Sequence, residues 1–330
     1  MSSVSRLTLA LEAGDLTLPE AGRIAVFAPR GETDLSALPK ERVQVITGRK
    51  PEFDGFAVRG FDCAVEAQGR YAAALVIVPR AKAQARALVA AACAVSEGLV
   101  IVDGAKTDGV DSILKAVRGR VPVWGPVNKA HGKLFWFEAG PQFTDWAVAE
   151  TQEVAGGFVT APGVFSADGI DPASRLLGDH LPEKLGAVVA DLGAGWGYLS
   201  TRVLERERVE RVHLVEADHA ALECAKQNVS DPRAAFHWAD ATTWRAPEPV
   251  DTVVMNPPFH TGRAADPDLG RAFIAQAAGM LKQKGQLWMV ANRHLPYETA
   301  LSERFGEVSE VAGDNRFKVL RATRPIRKHR

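Results

Sequence analysis

The sequence predicts an α/β protein made of two doubly wound units in tandem, each a mostly parallel sheet with helices against it. Three observations predict this. Apolar, β-rich runs alternate with helix-period stretches, and each switch is marked by Pro or Gly. That alternation occurs twice, separated by a stretch without periodicity. The chain is also 330 residues long, more than one domain of roughly 100 to 200 residues needs. Its composition, 46% hydrophobic and 24% charged, excludes collagen-like, wholly disordered and disulfide-scaffold classes.

In the first half, YAAALVIVP from Tyr71 reads as a buried strand, RAKAQARALVAAACAVSEG as a helix, LVIVDGA as a second strand and DSILKAV as a second helix. Such βαβ order makes a parallel sheet. VPVWGPV and KLFWFEA then form a terminal hairpin whose turn lies between Asn128 and Gly132, so the first unit spans residues 1–150 and the second 151–330. The connection, GGFVTAPGVFSADGIDPASR, is dense in Gly, Pro, Ser and Asp and reads as a linker or a functional loop. Beyond it AVVADLGAGWGYLSTRVLERE, VHLVEADHAALECAKQNV, AAFHWADATTW, VDTVVMNPPFHTG and QLWMVANR again alternate strand with helix.

Forty Lys and Arg balance forty Asp and Glu, so the chain as a whole has no electrostatic reason to coat itself with nucleic acid or anionic lipid. Any polyanion contact is local. Asp314 is the last acid, and Arg316, Lys318, Arg321, Arg324, Arg327, Lys328 and Arg330 follow it, a basic ending that suits either phosphate contact or plain solvation. Cys63, Cys93 and Cys224 are widely spaced and form no CxxC pair, which indicates neither a disulfide framework nor zinc. His213, His219 and His237 have no metal-ligand spacing either, so no metal is expected. A reducing, cytoplasmic location fits, and no apolar stretch approaches the ~20 residues of a membrane span.

The chemistry concentrates at strand ends of the second half. Val188 to Leu192 runs straight into Gly193-x-Gly195-x-Gly197, with Asp191 just before the turn; glycines there let backbone approach a ligand where open α/β sheets bind one. By itself such a turn is as consistent with a purely structural role. Glu216 closes the next strand, where nucleoside-binding folds place an acid that accepts from ribose hydroxyls. Asp240 follows the strand after that, suited to an exocyclic amine or to a turn. Asn256-Pro257-Pro258-Phe259 ends a further strand. Its prolines fix the backbone and remove two donors, Asn256 offers a carboxamide oxygen, and Phe259 offers a flat apolar face. That set holds a planar amine by accepting its N–H bonds while its ring stacks, and so positions the nitrogen lone pair toward an electrophile.

DLGAGWG, the acid of VHLVE, the Asp of HWAD and NPPF together resemble the class I S-adenosylmethionine-dependent methyltransferases that modify exocyclic nitrogens. The resemblance implies that Gly193, Gly195 and Gly197, with Asp191, cradle the methionine portion, that Glu216 binds ribose and Asp240 the adenine amine, and that Asn256, Pro257 and Phe259 receive the substrate amine. GVFSADGIDPASRLL, NPPFHTG, ANRHLPYETAL and NRFKVLRA look more narrowly like the bacterial ribosomal RNA small subunit methyltransferase C family of guanine-N2 enzymes, over residues 163–323. That implies a degenerate methyltransferase-like first unit, which holds RNA or braces its partner and takes no cofactor, a catalytic second unit with an antiparallel sheet edge, and a monomer. Small-subunit ribosomal RNA or the small subunit itself is the implied partner. His260, Lys318 and Arg321 are the candidate contacts to that RNA, Phe165 and Asp168 stand where the family closes over its cofactor or in a plain linker, and Trp196 either shields the cofactor or, the better reading for an aromatic, packs under the next helix. Large-subunit guanine N2, adenine N6 and a protein glutamine amide remain open as targets, as does a non-catalytic RNA-binding assembly factor.

Overall fold

The computed structural model describes residues 4–147, 151–258, 260–261, 264–265 and 267–327. The chain divides into two compact units, the first ending at residue 150 and the second beginning at residue 151.

The first unit holds strands β1 (Ile24–Phe27), β2 (Val43–Ile46), β3 (Asp62–Ala64), β4 (Tyr71–Ile77), β5 (Ser96–Ala105), β6 (Trp124–Lys129) and β7 (Gly132–Glu138), with helices α1 (Arg6–Glu12), α2 (Lys50–Val58), α3 (Lys82–Val95) and α4 (Val110–Arg118). Its sheet runs β3-β2-β1-β4-β5-β7-β6. The first five are parallel and the hairpin β6–β7 is antiparallel. The hairpin turns at Ala130 and His131, within the span read from the sequence.

The second unit opens with a small hairpin, β8 (Gln152–Val154) and β9 (Phe158–Thr160), and helix α5 (Pro172–His180). The stretch read as a linker is therefore structured at both ends. Then follow β10 (Val188–Leu192), α6 (Tyr198–Leu204), β11 (Arg211–Glu216), α7 (His219–Asn228), β12 (Ala234–Trp238), β13 (Val250–Met255), a short pair β14 (His260–Thr261) and β15 (Ala264–Ala265), α8 (Pro267–Met280), β16 (Leu281–Asn292), α9 (Tyr297–Ser302), β17 (Phe305–Gly313) and β18 (Phe317–Pro325). The sheet runs β12-β11-β10-β13-β16-β18-β17, the same winding as the first. Strand order along the sheet reverses beside β10, the switch point where open α/β sheets leave a crevice.

Alternation along β10 explains how both sheet faces are covered. Val188, Ala190 and Leu192 face the core shared with Phe273 and Ile274 of α8 and Leu301 of α9. Val189 faces the opposite core, with Leu177 of α5 and Val203 of α6. Leu177 and Val203 are fully buried, and each such side chain contributes about 1.5–3 kcal/mol, so the two helices beside the crevice are firmly seated. Arg233, just ahead of β12, donates to the carbonyls of Leu204 and Val209 at 2.7 and 2.8 Å and to Asp231, which satisfies orphan backbone acceptors past the end of α6.

Candidate active site at the carboxyl ends of β10 to β13

Four neighbouring strands present the chemistry in a row. Asp240 lies two residues beyond β12, Glu216 ends β11, the glycine turn follows β10, and Asn256 follows β13, while the sheet order is β12-β11-β10-β13. At about 4.8 Å between strands the row is ~15 Å long, the reach of an extended nucleoside ligand. A pocket on this edge is lined by Phe165, Asp171, Ser174, the turn from Gly193 to Trp196, and Asn256, among others.

The turn needs glycine. Gly193, Gly195 and Gly197 have φ of 74°, 55° and 94°, left-handed values costly for residues with a Cβ. A Cβ at Gly197 would also lie 2.8 Å from Val229, whereas the Cβ position of Gly195 meets nothing within 4 Å. The first is a packing glycine and the second opens the backbone to a ligand. Gly193 and Ala194 donate to the Val215 carbonyl at 2.9 and 3.1 Å, so the turn is anchored on β11. Glu216 completes the anchor: one carboxylate oxygen accepts from the Gly195 N–H at 2.8 Å and the other from the Asp218 N–H at 2.7 Å. Asp240 accepts from the backbone N–H and the hydroxyl of Thr242 at 2.8 and 2.7 Å.

Asp191 sits behind this turn. It is fully buried on the α6 face and accepts from the Ser200 hydroxyl at 2.7 Å, while its Oδ1 has no hydrogen-bond partner among the described residues. Burial pushes its pKa up to about 7; the Ser200 hydrogen bond opposes the rise and the Glu216 charge adds to it. Direct contact with a ligand, implied by the resemblance, is not what this geometry offers, because the carboxyl lies under the turn. A pKa raised in the folded state means that the native protein holds a proton the unfolded chain has already released. Stability attributable to Asp191 is therefore complete below pH ~4, declines as pH rises toward 7 and is flat above. Asp191→Asn should remove that decline: denaturant titrations at pH 5 and pH 8 should show the variant gaining roughly 2–3 kcal/mol on the wild type between them, and a constant difference would refute it.

Aromatic packing forms the opposite wall. Trp196 is buried against Phe158 and Tyr198, at 5.1 and 6.0 Å between ring centroids, and its indole N–H donates to the Phe165 carbonyl at 3.1 Å. Packing and loop anchoring are thus one role. Asn228, at the end of α7, accepts from the Val159 N–H and donates to the carbonyls of Val159 and Trp196, tying β9 to the turn. Phe165 is left 56% exposed at the pocket, and Asp168 is exposed.

Asn256 is held by α5. Its Nδ2 donates to Asp171 Oδ2 at 3.0 Å and to Ser174 Oγ at 2.9 Å. Asp171 is also the N-cap of α5, with the same oxygen accepting from the Ser174 N–H at 2.7 Å. A carboxylate only accepts, so the nitrogen of the carboxamide must face it, and Oδ1 is the atom left for a ligand. Sequence reasoning missed Asp171 and Ser174 as site residues. The signal was present in Asp171-Pro172-x-Ser174, an N-cap followed by Pro at the first helical position, which marks a helix start.

Two expected RNA contacts are corrected. Lys318 is 4% exposed and its ammonium meets the exposed Glu298 of α9 at 2.6 Å, so it is a covered, paired cation rather than an open surface one. Arg321, three residues on, points to the other face, because strand side chains alternate. It lies 5.8 Å over the Trp288 ring and donates to Gln286, which itself donates to the Lys184 carbonyl ahead of β10. The Arg321 backbone is level with Val254 and Asp191, and its side chain reaches back along the sheet toward Gln286 rather than forward to Asn256. Pro257 is buried beside Asn256. Phe259 lies outside the described residues, as does the side chain of His260, whose backbone pairs with Ala265. His213 and His237 share a hydrogen bond at 3.0 Å against Trp244, and the described residues hold no group of three potential metal ligands.

The first unit carries other residues at corresponding positions. The Ala28 N–H bonds the Ile46 carbonyl as the Gly193 N–H bonds that of Val215, which matches Ala28 to Gly193 and Thr47 to Glu216. The registers of β4 and β13 then match Ile77-Val78-Pro79 to Asn256-Pro257-Pro258. The crevice there is crossed by the Arg6–Asp103 and Arg30–Asp108 ion pairs at 2.5 and 2.8 Å. The donor set of the second unit is not repeated.

The family model for the methyltransferase small domain matches residues 155–321. Ribosomal RNA small subunit methyltransferase C of Shewanella sediminis is 30% identical over 258 residues, covering 74% of this chain and 75% of that protein. Ribosomal RNA large subunit methyltransferase G of Alcanivorax borkumensis is 37% identical over 169 residues, 49% of this chain, and the chain spans only 43% of that relative's length. Among solved structures, a T. Thermophilus 16S rRNA N2 methyltransferase in complex with AdoMet and guanosine superposes with a TM-score of 0.77 at 25% identity, over 93% of this chain and 90% of that one.

Proposed function

Because the chain belongs to the methyltransferase small domain family, and within it to that of ribosomal RNA small subunit methyltransferase C, we propose that it methylates the exocyclic N2 amine of a guanine in 16S ribosomal RNA, using S-adenosylmethionine. The observation that carries the reading is the carboxamide of Asn256, whose N–H groups are taken at the start of α5 and whose oxygen has no partner among the described residues and so can accept from an amine.

The residues present suit the cofactor. The open backbone at Gly195, the carboxylate of Glu216 at the next strand end and the polar side chain of Asp240 beyond it stand in the order in which a methionine portion, a ribose and an adenine follow one another. Gly193 and Gly195 would hold the first, Glu216 the second and Asp240 the third, with Gly197 closing the turn against α7 and Asp191 and Ser200 supporting it from behind. When bound, S-adenosylmethionine supplies an electrophilic methyl group on a sulfonium.

The protein's own part is positional. Asn256 Oδ1 and the Pro257 carbonyl accept the two N–H bonds of the amine, which turns its lone pair out of conjugation and toward the methyl carbon. Phe259, outside the described residues, is the side chain proposed to stack on the base. As the new C–N bond forms and the methyl–sulfur bond breaks, with a neutral thioether as the leaving group, the amine becomes cationic and releases a proton to water, so no general base is required. Because N2 lies within the stack of a duplex, the guanine must be unpaired or turned out to reach this edge. The first unit holds the RNA or braces its neighbour. The protein acts as a monomer in the cytoplasm, and none of its described helices is long and apolar enough to cross a membrane.

A large-subunit target is the second reading, favoured by the 37% identity to methyltransferase G. Incubation with methyl-labelled S-adenosylmethionine and unmodified small or large subunits separates the two. Label in N2-methylguanosine of the small subunit is expected. Label confined to the large subunit would move the target, and absence of label from both would sink the proposal.

A further inference from the structure

The hydrogen bonds around Asn256 do more than hold one side chain. A carboxamide has two faces of opposite polarity, and its orientation decides whether the pocket accepts from an amine or donates to a carbonyl. Here Nδ2 is bound at 3.0 Å to Asp171 Oδ2 and at 2.9 Å to Ser174 Oγ. Flipping the amide would bring its oxygen against a carboxylate oxygen, which has no proton to share. Asp171 is in turn fixed by its N-cap bond to the Ser174 N–H, and Ser174 is buried at the start of α5, whose Leu177 lies fully in the core. All three side chains line the pocket.

We propose that Asp171 and Ser174 are positioning residues for methyl transfer, setting the polarity of the Asn256 carboxamide so that the site receives an amine and not a carbonyl. This rests on the functional reading above. It assigns two residues on α5 to the reaction, although neither is placed to meet the reacting atoms. Loss of the Asp171 carboxylate frees the amide to present N–H to the substrate nitrogen, which has no use for a second donor.

The test must separate this role from helix capping. Asp171→Asn and Asp171→Ser both retain a favoured N-cap residue, and Ser174→Ala leaves the capping oxygen of Asp171 in place. All are assayed for methyl transfer to the unmodified ribosomal subunit that the wild type labels, alone and combined with Asn256→Ala. Asp171→Ser, whose hydroxyl is too short to cap the helix and reach Asn256 together, should lower kcat about tenfold or more, Asp171→Asn, which keeps an acceptor oxygen without the charge, a few-fold, and Ser174→Ala a few-fold, as expected for loss of one charge-assisted bond, of its charge alone, or of one neutral hydrogen bond acting on orientation. KM for S-adenosylmethionine should stay within about twofold. In the Asn256→Ala background none should lower kcat further, since nothing remains to orient. Wild-type kcat in both Asp171 variants, or an undiminished further loss without Asn256, would overturn the inference. Should Asp171→Asn not fold, Ser174→Ala with its double variant decides alone. A wild type that labels a different amine would displace the guanine assignment and leave this comparison intact.

Discussion

Asn256→Ala is expected to lower turnover by about two to three orders of magnitude while leaving S-adenosylmethionine affinity within about twofold. The substitution removes both Oδ1 and Nδ2 of the carboxamide. Oδ1 would accept from the amine as its nitrogen leaves conjugation, an interaction that strengthens toward the transition state and therefore appears in kcat. The turn of Gly193 to Gly197 and the carboxylate of Glu216 lie on other strands and keep their hydrogen bonds to each other and to Val215. Some stability is lost as well, because Asp171 and Ser174 lose a donor, at about 1–3 kcal/mol for a buried group left unpaired. Calorimetry for the cofactor and single-turnover transfer at saturating cofactor separate the two effects. Wild-type turnover in the folded variant would remove Asn256 from the mechanism.

Glu216→Ala should do the reverse, weakening S-adenosylmethionine binding by about ten- to a hundredfold with a smaller effect on turnover at saturation. Hydrogen bonds to a charged acceptor are worth about 1.5–3 kcal/mol, and the ribose hydroxyls are proposed to use this carboxylate. The substitution also strips the Gly195 and Asp218 N–H groups of their acceptor, so the turn that faces the methionine portion loosens. Glu216→Gln keeps an acceptor oxygen without the charge and should fall between the two. An unchanged dissociation constant for Glu216→Ala by calorimetry would refute its assignment.

The reach of sequence reasoning differed between parts of the site for identifiable reasons. Gly193, Gly195, Gly197, Glu216 and Asn256 were legible because each stands where an apolar run stops, and in a parallel sheet every such stop is at the same edge. The hairpin that closes the first sheet was legible from two aromatic-rich runs around a short polar turn. Lys318 and Arg321 were misjudged because a basic ending reads as one patch in a string of letters. In β18 they fall on opposite faces, one against Glu298 and the other over Trp288. The segment before α5 reads only as a linker or a functional loop because its Gly, Pro and Ser mask the N-cap at its end.

Local pattern alone determined that this chain forms two doubly wound α/β units, and that one carries a glycine turn, two strand-end acids and an Asn-Pro-Pro-Phe run while the other does not. These are properties of neighbours along the chain, and periodicity and turn chemistry report them directly. Tertiary structure decided which way Asn256 faces, that Asp191 lies beneath the turn with a buried carboxyl, and that Glu216 clamps Gly195. Each depends on a partner far along the chain, 85 residues from Asn256 to Asp171 and 21 from Glu216 to Gly195. Hydrogen-bond polarity and desolvation are set by what the fold brings alongside a residue, and no local run of letters carries that information.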